Sequence, residues 1–87
     1  MGRSQNYIMI RLINIRKSNN VIECDFYPED SLEVGSVKVD VITEQVVSFT
    51  LPLGYEYCRQ HVNHAKINLI GMKDQSEFQE SILVKWY

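Results

Sequence analysis

Eighty-seven residues, 45% hydrophobic and 23% charged with a net charge of -2, describe one ordinary globular domain spanning residues 1–87. That balance excludes a disordered chain, and the scattered Lys and Arg residues exclude the clustered basic footprint of a nucleic-acid binder. Met1–Asn6 is short and polar, and the apolar run after it is broken by Arg11 and Asn14, so neither a secretory leader nor a membrane span is expected.

The hydrophobic period changes along the chain. The first strand is expected from Tyr7 to Arg16, with Ile8, Ile10 and Leu12 on the core face and Tyr7, Met9, Arg11, Ile13 and Ile15 on the other. Lys17–Asn20 reads as a turn, because asparagine tolerates the positive φ of a tight connection. The second strand, Val21–Tyr27, points Ile22, Cys24 and Phe26 inward, and Pro28 stops it. An acidic loop runs to Gly35. The third strand, Ser36–Ile42, turns Val37, Val39 and Val41 inward. The fourth, Val46–Leu51, turns Val47, Phe49 and Leu51 inward, and Pro52 ends it.

From about Tyr55 to Ile70 the spacing becomes helical. Cys58, Val62, Ala65 and Leu69 fall on one stripe, Glu56 and Lys66 suit the macrodipole, and Gly71 suits a left-handed C-terminal cap. A last strand, Ser81–Tyr87, points Ile82, Val84 and Trp86 inward. The helix separates it from the fourth strand, so the economical position is the opposite edge, beside the first. The expected fold is α+β: a mostly antiparallel four- to five-stranded sheet in the order β-β-β-β-α-β, with one helix packed on one face.

Few residues combine into chemistry. Cys58, His61 and His64 are three apart on the helix and are good zinc ligand types. Successive steps of three drift around the helix, however, and no second Cys or His cluster completes a tetrahedral site. Cys58 with His61 could form a nucleophile and its base, but the thiol sits on the core stripe, where burial makes it inert. Cys24 also falls in an apolar pattern, so both cysteines are expected to be reduced and buried. The loop with Glu29, Asp30 and Glu33 lacks the order of a calcium loop. Four dispersed glycines make no phosphate loop. No cofactor is implied.

The outer face of the sheet carries the main functional expectation. Tyr7, Met9, Ile13, Ile15, Val21, Tyr27, Ile42, Val46, Leu83 and Tyr87 all map there, which is too apolar for a purely solvated face. A second copy of the chain is the simplest partner. The best interface candidates are Tyr7, Met9, Ile13, Ile15, Val46 and Tyr87. Edge pairing through the uncharged fourth strand is the second route.

Tyr27-Pro28-Glu29-Asp30-Ser31, with Glu33-x-Gly35 and Val37-x-Val39-Asp40 after it, resembles a group of small Firmicutes proteins of unknown function. Tyr57, His61 and His64 on the helix and the closing Val84-Lys85-Trp86-Tyr87 extend the resemblance. It implies a bacterial cytoplasmic domain and assigns no catalytic residue. The expected function is therefore a small cytoplasmic interaction module forming a homodimer. The alternatives are a metal-binding or minor enzymatic protein using Cys58, His61 and His64, or a ligand-binding domain with a pocket between helix and sheet.

Overall fold

A computed structural model describes residues 8–86. Five strands form one antiparallel sheet: β1 (Ile8–Ser18), β2 (Val21–Pro28), β3 (Gly35–Asp40), β4 (Gln45–Thr50) and β5 (Ser81–Trp86), with helix α1 (Arg59–Gly71) between β4 and β5. The strand order is β4-β3-β2-β1-β5. The fold is α+β, and the last strand lies beside the first, as expected. Tyr7 and Tyr87 lie outside the described residues.

The inner face builds the core. Ile10, Leu12, Ile22, Cys24, Phe26, Val37 and Val39 are buried against Val62, Ala65, Leu69 and Met72. The helical stripe thus packs as its spacing requires, with α1 lying across β1 to β4. Gly35 starts β3 in a tight place. A Cβ there would lie 2.5 Å from the Thr50 carbonyl oxygen and 3.0 Å from the Phe26 ring, so only glycine lets β4 close over this corner.

Two bulges reassign faces that simple alternation sets wrongly. In β1, the pairs Ile13↔Asp25 and Arg16↔Glu23 enclose an extra residue. Asn14 takes φ 56 there, and its amide donates to Asp25 Oδ2 at 3.0 Å. The added residue rotates the strand, so Ile15 is 9% exposed in the core instead of lying on the outer face. In β4, Val39 pairs with Val46 while Lys38 pairs with Ser48. Val46 consequently packs against the core, and Val47 is 59% exposed, the reverse of the alternation. Ile15 and Val46 are therefore not outer-face residues.

Three local expectations also change. β3 ends at Asp40, whose Oδ1 accepts the Ile42 and Thr43 amides at 2.8 and 3.1 Å. Ile42 is thus an exposed turn residue rather than part of a strand. The helix starts at Arg59, after turns through Tyr55–Cys58, with no acid in its first turn and no base in its last. Gly71 is its final helical residue and has no positive φ, the cap being Met72 at φ -111. Asn19 does take positive φ, 57, in the β1–β2 turn.

Candidate functional site

At one end of the sheet the 28–35 loop meets the segment leading into α1. Glu29 is the pivot. It adopts φ 54, an uncommon conformation for a side chain of its size. Local hydrogen bonds hold it there: its N–H donates to the Met9 carbonyl at 3.1 Å, and the Met9 N–H donates to Glu29 Oε2 at 3.2 Å. The same Oε2 lies 2.8 Å from His61 Nε2. A carboxylate only accepts, so Nε2 carries the proton and donates. Next to it Asp30 Oδ1 accepts the Tyr55 hydroxyl at 2.8 Å. The tyrosine-proline-acidic turn thus clamps the loop to the helix entry.

His61 is 5% exposed, and its Nδ1 is buried without a partner. Its ring meets Trp86 edge-on at 5.0 Å, and His64 stacks on the same indole at 3.7 Å and 13°. His64 is therefore half-buried. Desolvation, then the neighbouring His61, lowers its pKa below the ordinary 6.5. With Nε2 held by Glu29 and Nδ1 enclosed, His61 offers no nitrogen to an outside substrate. Its geometry is that of a tie between layers.

The cysteines are buried and free. Burial pushes the Cys24 thiol up to about 12, with Asp25 adding to the effect. Burial also raises Cys58, the Tyr57 hydroxyl opposing it and Glu29 adding to it. Raised, enclosed thiols are poor nucleophiles. Among the described residues, no group of three or more His, Cys, Asp and Glu is arranged to hold a metal ion, so Cys58, His61 and His64 do not converge. No helix among those residues is long and apolar enough to cross a membrane.

The outer face divides into a polar centre and an apolar end. At the centre, Arg16 Nε lies 2.8 Å from Glu23, Lys38 lies 3.8 Å from the same carboxylate, and Ser36 bonds Thr50 at 3.0 Å. Exposed pairs like these stabilise little, about 0–1 kcal/mol each, but they keep the surface wet. Toward the clamp, Met9, Arg11, Tyr27 and Leu83 line an open groove of about 450 Å³ with Glu29, Asp30, Ser31 and Leu32. Leu32 is 94% exposed and Leu83 42%. Ile13 is half-buried beside this end. Of the six interface candidates, Met9 and Ile13 are the two that the structure places on the outer face. Leu32 escaped the sequence reading because it sits in a loop with no alternation to mark it.

Comparison of the chain with protein-family models, curated proteins and solved structures returns no match.

Proposed function

We propose that this chain is a small interaction module whose partner is a second copy of itself, in the bacterial cytoplasmic setting implied by the resemblance noted above. The observation that carries this reading is the apolar end of the outer face, where Met9, Tyr27 and Leu83 meet the fully exposed Leu32 around an open groove. Solvated sheet faces are ordinarily more polar, and large apolar side chains gathered at one place mark contact surfaces. The Glu29–His61 tie supports it, because it fixes the loop that carries Leu32 against the rigid sheet. Sedimentation equilibrium over the micromolar range tests the reading. A mass rising with concentration from 10.2 kDa toward twice that value supports it, and a constant 10.2 kDa contradicts it.

A further inference from the structure

We propose that in the pair of copies each chain seats Leu32 in the groove of the other, where Arg11 meets the Glu33 carboxylate that arrives beside it. This rests on the self-association reading above and assigns it a contact. The loop comes first. Leu32 stands at the rim of its own groove, yet at 94% exposure it lends that groove almost none of its surface. Its backbone is nonetheless braced from both sides. The Ser31 N–H donates to the Pro28 carbonyl at 3.0 Å. The buried Ser31 hydroxyl donates to the Glu33 carbonyl at 2.7 Å and accepts the Glu33 N–H at 3.1 Å. An apolar side chain held out on a braced turn docks with little further ordering, a cost that otherwise weakens loop contacts.

The groove supplies the matching half. Met9, Tyr27 and Leu83 are its apolar walls, and Arg11 is its cation. Its acids are already engaged: Glu29 holds His61 and the Met9 N–H, and Asp30 holds the Tyr55 hydroxyl. The exposed Arg11 guanidinium has no ion pair or hydrogen bond among the described residues. The same holds for the exposed carboxylate of Glu33, next in sequence to Leu32. One unmatched cation thus lies in the groove, and one unmatched anion lies beside the side chain offered to it.

Both halves sit on one chain, which names the occupant as a second copy. A two-fold pair needs a surface complementary to itself, in which residue i meets j and j meets i. Leu32 and Glu33 against the facing groove, repeated by the symmetry, meet that condition with two copies of each contact. A basic peptide would bring like charge to Arg11, and a purely apolar one would leave Arg11 unmatched. One loop in one groove on each side is smaller than the roughly 1,200 Å² at which standard interfaces begin, so the pair is a weak one.

The test is sedimentation equilibrium on the full chain, two charge exchanges and their mixture. Arg11→Glu sets glutamate against Glu33 at both symmetry-related contacts, and Glu33→Arg sets arginine against Arg11. Each alone is expected to dimerise about tenfold or more weakly than the unaltered chain, because like charges brought together oppose docking. Far-ultraviolet circular dichroism should be unchanged. Mixed in equal amounts, the two variants are expected to pair again, since each contact then holds one acid and one base. Leu32→Ser alters only an exposed loop side chain and is expected to weaken the pair about tenfold or more through lost apolar burial. It decides should either charge exchange fail to fold. Single exchanges that dimerise like the unaltered chain, a mixture that stays monomeric, or undiminished association of Leu32→Ser overturns this contact and leaves self-association through another surface. An unaltered chain that stays monomeric overturns self-association and the contact together.

Discussion

Replacing Glu29 separates two effects that the structure joins in one residue. Its Oε2 accepts both the buried His61 Nε2–H and the Met9 N–H, while its backbone sits at φ 54. In Glu29→Ala the His61 donor is left enclosed at 5% exposure, and an orphaned buried donor costs about 1–3 kcal/mol. The half-exposed Met9 N–H can turn to water, so its loss adds about 0.5–1 kcal/mol. The expected total is about 1.5–4 kcal/mol, against a stability of roughly 4–13 kcal/mol for a chain of this length. Glu29→Gly loses the same bonds but relieves the left-handed backbone, and should recover about 1 kcal/mol of that loss. Glu29→Gln keeps an oxygen able to accept both donors and should lie nearest the unaltered chain. Urea denaturation followed by circular dichroism, with m held constant, reads all three. A cost below about 0.5 kcal/mol for Glu29→Ala, or a glycine variant less stable than the alanine one, would refute the clamp.

Leu69→Ala should cost about 2–5 kcal/mol in the same assay, since Leu69 is fully buried between helix and sheet. Gly35→Ala should lose about 1–3 kcal/mol or more, because the Thr50 backbone that the new methyl meets cannot swing away. Cys24 and Cys58 should react with a thiol reagent far more slowly folded than unfolded. Rapid labelling of Cys58 at neutral pH would contradict its burial. His64 titrates lower in the fold than unfolded, so the unfolded chain binds the proton more readily; stability is full above about pH 6.5 and falls as pH drops through that value. His64→Phe keeps the stack on Trp86 and should flatten this acid-side loss in denaturation series run between neutral and mildly acid pH.

The alternation of β2 and the stripe Cys58-Val62-Ala65-Leu69 were legible because one side of each is buried and the other is wet. The position of β5 followed from the helix that precedes it. The bulges were not legible. One inserted residue at Asn14 sends Ile15 from the face to the core, and one at Val47 does the reverse, yet both segments still alternate in hydropathy. An asparagine between two isoleucines in β1 was the available signal, since asparagine accepts positive φ. The Glu29–His61 tie joins residues 32 apart, and no local spacing marks such a pair. The turn that holds Glu29 did stand out, as a proline and two acids where a strand ends. The helix ends were misjudged because Gly71 fits a cap in composition, while the chain closes with Met72 donating to the Leu69 carbonyl and Lys73 to the Ile70 carbonyl.

The most direct test of self-association through the apolar end of the outer face is an intermolecular nuclear Overhauser measurement on a mixture of carbon-labelled and unlabelled chains. The proposed function predicts intermolecular contacts from the Met9, Leu32 and Leu83 methyls, which line the open groove. No intermolecular contact at concentrations well above the micromolar range, or contacts confined to other parts of the surface, would contradict it.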